Sequence, residues 1–594
     1  MSSGTLPIGA LTTSVDAREV AGAWLERFER AMTGRNAAEI GELVLPDGWW
    51  RDLLTTGWDF RSIHGAAEIA KLVASSERIG YHSLDLDPDI APRIEQLDPE
   101  GECIVAFIRV TTEVGVGRGI LRLRPDGDSW RAWVIMTALQ DLTGHEQARG
   151  ARRPFRPSGA DVDARVNWLD ARRRKEEFLD GSPEVVVIGS GHGGLMTAAH
   201  LGFWGVDTLV IERNNRVGDN WRNRYRSLVL HDAIWADHLP GLAFPDSWPV
   251  YTPKDKLGDW LEFYASALEL NVWTGSVVAS ADYDDATGRW TIVVRRSDGS
   301  TRTVFPAHVV MATGIHGTPR IPDLPGLDAF RGPIVHSSTY TGEEAVDGIR
   351  ALVIGAGNSA HDVAQDLVRR GLDVTMVQRS STYVISQKNN FELMIGKLYR
   401  EGGMPTDDAD LLGSSFPYLL ALQRSVGQTE VATELDRDLL DGLDRAGYRT
   451  DSGIAGGGGL SKILYGPGGY YIDVGCAQMI AEGRIAITHS EVTGLTERGV
   501  EFADGTSAEY DIIVMATGYT SPRETARAIL GSEVDRTGPV WGLDESGELR
   551  GIWRPTGHPG FWFMGGPLYI ARTYSRYLAL QVHASIRGIR PLET

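Results

Sequence analysis

The sequence predicts an α/β protein with two Rossmann-like dinucleotide-binding domains preceded by a small α+β domain. Three observations predict it. A strand, a glycine-rich turn and a helix follow one another twice in the same spacing; the segment before the first copy reads as a helix followed by antiparallel strands; and an Arg- and Pro-rich stretch, ARGARRPFRP from Ala148 to Pro157, separates the two parts. At 594 residues the chain is too long for one core. The expected boundaries are 15–147 for the small domain, 148–182 for a linker and connecting helix, 183–345 and 506–594 for two parts of the first nucleotide domain, and 346–505 for the second.

Composition sets the class: 42% apolar and 23% charged residues with 17 Trp describe a globular chain with ample material for cores. A net charge of −20 repels phosphate backbones and anionic lipid, so neither nucleic acid nor a membrane is expected as a partner. Met1 to Asp16 lacks the pattern of a signal peptide, and no apolar run approaches the ~18 residues of a membrane span, so a cytoplasmic protein is expected. Two distant cysteines, Cys103 and Cys476, exclude a disulfide framework and a C-x-x-C redox pair, and no metal site is read.

In the small domain, Val20, Ala23, Trp24, Phe28 and Met32 recur at helical steps over 15–34. Cys103 to Thr112, Gly119 to Arg124 and Trp130 to Leu139 alternate with turn residues and read as strands of a curved sheet. Asp47, Trp49, Trp50, Arg51, Asp52, Trp58, Asp59 and His64 form a dense polar and aromatic cluster, read first as a packed or dimer-forming element and second as a pocket. Asp163 to Leu179 is a charged connector whose basic run, Arg172 to Lys175, reads as a solvated face.

The first copy of the motif is EVVVIGS, Glu184 to Ser190, running into Gly189, Gly191 and Gly194 in a G-x-G-x-x-G turn. Glycine serves the tight turn, the close approach of a pyrophosphate and helix packing at those three places. A strand from Thr208 to Ile211 ends in Glu212, whose carboxylate suits ribose hydroxyls. The second copy, ALVIGAGNSA from Ala351 to Ala360, carries Gly355, Gly357, Asn358, Ser359 and Ala360. Its second strand, Val374 to Val377, ends at the same spacing in Gln378 followed by Arg379, which removes repulsion toward a 2′-phosphate and adds a guanidinium to bind it. The first site therefore suits FAD and the second NADPH. Each copy is followed by an Ala-Thr-Gly element after an apolar strand, with Thr313 and Gly314 in one and Thr517 and Gly518 in the other.

With these residues in place, the chain from about Val185 to Arg587 resembles the class B flavin monooxygenases. Phe330, Gly332, His336 and Tyr340 fit the family signature F-x-G-x-x-x-H-x-x-x-Y, and Tyr340-Thr341 lies nearer the heteroatom-oxidising branch than the Baeyer–Villiger form. Gly218-Asp219-Asn220-Trp221 resembles the loop that covers the flavin, with Asp219 in place of a glycine, and His231-Asp232 falls in the segment that the family places beside the isoalloxazine. The resemblance implies a flavin reduced by NADPH, a C4a-peroxide formed with O2, and one oxygen atom inserted into a small organic substrate, at nitrogen or sulfur first and into a ketone second. Asp232, His231 and Tyr340 are then the catalytic candidates; Asp219, Asn220 and Trp221 shape the cofactor site; Phe330, Gly332 and His336 are structural. An NADPH oxidase that releases peroxide is the other alternative. The first 150 residues are similar to the NTF2/SnoaL type, and the pairing resembles type II flavin-containing monooxygenases, which implies tolerance of NADH. A homodimer, the substrate and the degree of coupling stay open.

Two C-terminal features complete the expectations. GGGGLSKILYGPGG, with Gly456 to Gly459, Ser461 and Gly466 to Gly469, reads as a loop near the substrate entrance. Phe561 to Pro567 reads as a buried strand entering a turn at the flavin, and Arg572 and Arg576 share a helix face, free to neutralise phosphates or to pair with surface acids.

Overall fold

The computed structural model describes residues 15–75, 80–97, 101–154, 167–346, 348–466 and 468–590. The first fourteen residues of the segment read for a signal peptide, the end of the Arg- and Pro-rich stretch from 155, and the start of the connector up to 166 lie outside the described residues. The chain divides into two compact units, one of the residues up to His145 with Leu411–Pro417, the other of Glu146–Asp410 with Tyr418 onward.

The first unit combines helices with a seven-stranded sheet. Helix Ala17–Thr33 starts at Asp16, whose carboxylate accepts from the Arg18 and Glu19 amides, and buries Trp24, Leu25, Phe28 and Met32. Ala23, expected on that stripe, is exposed instead. Gly101–Thr112, Gly115–Asp126 and Ser129–Leu142 are long antiparallel strands, but Val44–Leu53 joins Ser129–Leu142 in parallel. The polar cluster is packed. Asp52 is 1% exposed, and its carboxylate accepts from the amide and hydroxyl of Thr56 at 3.0 and 2.7 Å and from Thr137 Oγ1 at 2.8 Å. Trp50 Nε1 donates to the same Thr137 hydroxyl, and Trp49 stacks on His64. Nothing in the sequence marks the last piece of this unit: Arg51 Nη1 donates to the Ser414 carbonyl and Arg122 Nη1 to Ser415 Oγ, while the Arg122 guanidinium lies 4.0 Å over Phe416.

The second unit holds two parallel five-stranded sheets. One runs Asn271–Trp273, Thr208–Ile211, Val185–Ile188, His308–Met311, Phe561–Phe563; the other Ile334–His336, Ile512–Met515, Arg350–Ile354, Asp373–Val377, Ile485–Thr488. Their apolar strands are buried on both faces, which explains the uninterrupted Val/Ile runs. The second sheet reaches across both expected boundaries, because Ile334–His336 and Ile512–Met515 supply strands that the sequence reading left with the first nucleotide domain. The glycine-rich stretch is also corrected. It contains helix Gly458–Tyr465, anchored by buried Ser461 and Leu464, followed by strand Tyr470–Asp473 paired with Tyr383–Ser386. Among the described residues, no helix is long and apolar enough to cross a membrane.

Candidate cofactor and substrate site

Both glycine turns sit where a parallel strand gives way to a helix, the place where open α/β sheets bind nucleotides. In the first, Gly189 has φ +108°, and a Cβ there would lie 2.6 Å from the Ala312 carbonyl. A Cβ on Gly194 would lie 2.0 Å from the Gly189 carbonyl. These two glycines let Ala312-Thr313-Gly314 return against the turn, with the Ala312 amide donating to the Ile188 carbonyl. Gly191 differs: a Cβ would meet only Asn220 Nδ2, at 3.4 Å, so space rather than protein lies above it. It caps helix His192–Phe203 without a side-chain bond, leaving amides for an anion.

Glu212 is 5% exposed and accepts from Ser190 N, Ser190 Oγ and Asn214 N at 2.7 to 2.9 Å, which fixes the carboxylate at the strand end. Among the described residues, nearby polar atoms lack partners. His192 Nε2 meets the Gly566 carbonyl at 2.9 Å while its Nδ1, like Trp221 Nε1, is buried without a hydrogen bond. Burial lowers the His192 pKa, so the ring is neutral. Space above Gly191, uncapped amides and two orphaned buried nitrogens fit a polar ligand of FAD's kind. Asp219 belongs to the loop's own frame: its carboxylate accepts from Arg216 N and Arg222 Nη1.

The second turn repeats the geometry with one change. Gly355 has φ +132° and a Cβ would lie 2.4 Å from the Ala516 carbonyl, whereas Gly357 meets nothing within 4 Å and caps helix Asn358–Arg369 without a side-chain bond. The third small position is Ala360, fully buried. Asn358 Oδ1 accepts from the Ile472 amide, and Ser359 follows it in the first helical turn. Thr517 Oγ1 donates to the Arg320 carbonyl, and the Gly518 carbonyl accepts from the Arg320 amide. Gln378 is fully buried, its Nε2 donating to the Arg449 carbonyl at 2.7 Å and its Oε1 accepting from the Arg449 amide at 2.8 Å. It therefore faces the protein. Arg379 alone stands outward, 79% exposed, with Glu491 3.8 Å away.

The signature links these parts. A Cβ on Gly332 would lie 2.4 Å from the Asp511 carbonyl, and Phe330 is buried beside it. His336 accepts from the Ser338 amide at Nδ1, so its Nε2–H donates to the Gly518 carbonyl at 3.1 Å. Burial lowers its pKa and keeps this tautomer neutral. Tyr340 is fully buried, its hydroxyl donates to Asp366 at 2.6 Å and accepts from Arg370 at 3.1 Å, and burial beside Asp366 raises its pKa, so its polar end is held by protein groups.

His231 and Asp232 lie together in the segment before the short helix Ile234–Asp237, and the His231 carbonyl accepts from Gln387 Nε2. Burial raises the Asp232 pKa, partly offset by His231. The sequence reading missed Asp237, fully buried with neither carboxylate oxygen hydrogen-bonded among the described residues, whose pKa burial and then Asp232 drive up. It left the role of Arg572 open. That guanidinium is 4% exposed, binds Asp410 through two nitrogens at 2.5 and 2.8 Å and donates to the carbonyls of Ala236 and His238. Arg576 pairs with Asp407 at 3.2 Å. Both are occupied by protein acids.

Residues 182–396 match the family described as flavin-binding monooxygenase-like. The chain is 32% identical over 360 residues to indole-3-pyruvate monooxygenase YUCCA1 of Oryza sativa subsp. japonica, covering 59% of this chain and 79% of that protein. It is 30% identical over 431 residues to indole-3-pyruvate monooxygenase YUCCA8 of Oryza sativa subsp. indica, covering 69% and 91%. Among solved structures, an open crystal structure of cyclohexanone monooxygenase aligns with a TM-score of 0.50 at 18% identity over 69% of this chain and 88% of that one, which shows the shared fold.

Proposed function

From the premise that the chain belongs to the flavin-binding monooxygenase-like family, and is a flavin-dependent monooxygenase using FAD and NADPH, we propose that it inserts one oxygen atom from O2 into a small organic substrate at nitrogen or sulfur. Bound FAD would take a hydride from NADPH and supply the activated oxygen. The observation that carries the reading is the pair of glycine turns, alike in backbone and different at the end of the second strand.

In this reading Gly189, Gly191 and Gly194 with the amides of helix His192–Phe203 hold the FAD pyrophosphate, Glu212 accepts from its ribose, and Asn220, Trp221, Thr313 and Gly314 close around it. Gly355, Gly357, Asn358 and Ser359 hold the NADPH pyrophosphate, and Arg379 is the exposed cation for its 2′-phosphate. His336, Thr517 and Gly518 keep the crossing between the two turns rigid. The first unit reads as an NTF2/SnoaL-type domain.

A second reading, oxygenation of a carbonyl compound, is favoured by the relatives named for indole-3-pyruvate, itself a 2-oxo acid. The test is NADPH oxidation under air by the purified protein, with hydrogen peroxide counted against NADPH and with an amine, a sulfide, a cyclic ketone and a 2-oxo acid offered in turn. Oxygenated amine or sulfide with little peroxide supports the proposal. A product only from the carbonyl compounds moves it to the second reading, and peroxide equal to NADPH with every compound makes the protein an oxidase.

A further inference from the structure

The segment that runs on from the loop over the first glycine turn is fastened at two places that belong to different sheets. Its early part is held on the first side. A Cβ on Gly218 would lie 2.1 Å from the carbonyl of Gly258, in helix Lys254–Ala267, and Lys254 Nζ donates to the Arg222 carbonyl at 2.7 Å. Asn220 Nδ2 reaches the space above Gly191, and Trp221 follows it with its buried indole N–H unpaired among the described residues. At Leu228 the chain is back on the same helix, its carbonyl accepting from the Lys254 amide.

Between these anchors, Tyr225 to Leu228 makes an excursion into the other half. Tyr225 is 5% exposed and packs in the core of the second sheet with Val353, Ala360 and Val363, with Leu228 against the same cluster. Its hydroxyl donates to Asp362, and Ser227 Oγ donates to Asp366 at 2.8 Å. Those two carboxylates stand four residues apart, on one face of helix Asn358–Arg369. The Arg226 amide adds a bond to the Thr341 carbonyl at 3.0 Å. Packing alone would be served by a phenylalanine. A buried phenol needs an acceptor, and this one finds it on the helix that Gly357 caps.

Resting on the reading above that gives the Gly191 turn to FAD and the Gly357 turn to NADPH, we propose that Tyr225 is a positioning residue that couples the two nucleotide sites. Its bond to Asp362 ties the loop over the first turn to the helix that starts at the second. A nucleotide that fixes the helix N-terminus also fixes the plug on that helix, and with it the loop eight residues or fewer away. The second ligand then meets a segment already ordered, so each nucleotide strengthens the binding of the other.

The experiment dilutes the oxidised yellow holoenzyme and reads released FAD by its fluorescence, with and without saturating NADP+. In wild type NADP+ should lower the FAD dissociation constant about tenfold, and in Tyr225→Phe about twofold or less. The ratio is the readout, because a merely loosened fold raises both constants together. By reciprocity, NADP+ should bind the Tyr225→Phe holoenzyme about fivefold more weakly than wild type. Asp362→Asn keeps an oxygen that accepts from the phenol and should retain a ratio above that of Tyr225→Phe. A wild-type ratio near one, a tenfold ratio that persists in Tyr225→Phe, or a ratio in Asp362→Asn no higher than in Tyr225→Phe overturns the inference. Gly357→Ala tests the underlying assignment by itself: a Cβ there meets no protein atom within 4 Å, so the fold is kept. It should weaken NADP+ binding about tenfold by crowding the pyrophosphate, and unchanged binding would show that the NADPH assignment fails, separately from the Tyr225 ratio.

Discussion

The two glycine turns share a backbone and part company at their third small residue and at the end of the following strand. In the first, Gly194 has no room for a methyl group and Glu212 is held by Ser190 and Asn214. In the second, Ala360 already carries the methyl, and the residue at the Glu212 position, Gln378, turns inward to the Arg449 backbone. The same motif therefore tolerates different packing, and in the proposed reading nucleotide selectivity in the second copy rests on Arg379, the exposed neighbour of the inward-facing Gln378.

The contrast is broken most severely at Gly194. A Cβ 2.0 Å from a main-chain oxygen cannot be absorbed by a side-chain shift, so Gly194→Ala should yield protein without flavin absorbance, if it folds. Bound flavin at wild-type level would show that the turn is looser than described. Acid, in contrast, should weaken both sheets. Burial lowers His361, beside the second turn, to about 4 and His308, on a strand of the first sheet, to about 3. Their unfolded pKa is about 6.5, so the unfolded chain binds more protons below that value; stability is full above it and is lost as pH falls toward about 4. Thermal melts from pH 7 to 5 should show a falling midpoint, and His361→Gln should flatten the fall.

Gln378→Ala should cost about 1.5 kcal/mol, because it removes the acceptor of the Arg449 amide while the Arg449 carbonyl still accepts from the Thr382 amide, and this is read from denaturant unfolding. Gln378→Glu should not create a preference for NADH, since the side chain faces the protein. Arg379→Ala should raise the KM for NADPH about tenfold and leave that for NADH within about twofold; equal effects would remove Arg379 from the phosphate site. The smallest change is Ala360→Gly, about 1 kcal/mol of helix stability with flavin retained.

The turns were legible because positive φ and contact with a neighbouring carbonyl admit only glycine at Gly189 and Gly355, so geometry writes itself into residue type. The partners of Tyr340 were not, because a signature tyrosine looks the same in sequence whether or not Asp366 and Arg370 hold its hydroxyl. Asp237 carries no local signal at all: its burial without a hydrogen bond among the described residues is a property of the packed fold and not of its neighbours in sequence. The boundaries at 345 and 505 slipped for a related reason, since a short apolar strand does not declare which of two parallel sheets it joins. Likewise, the Ser414–Phe416 contacts with Arg51 and Arg122 depend on residues far apart in the chain.

The most direct test of the division of labour between the turns is anaerobic mixing of the yellow holoenzyme with NADPH, followed by flavin absorbance. The account predicts rapid bleaching in wild type, and in Arg379→Ala bleaching that is slow at low NADPH and recovers at saturation. Failure of NADPH to bleach the bound flavin, or an Arg379→Ala defect that saturation does not repair, would contradict it.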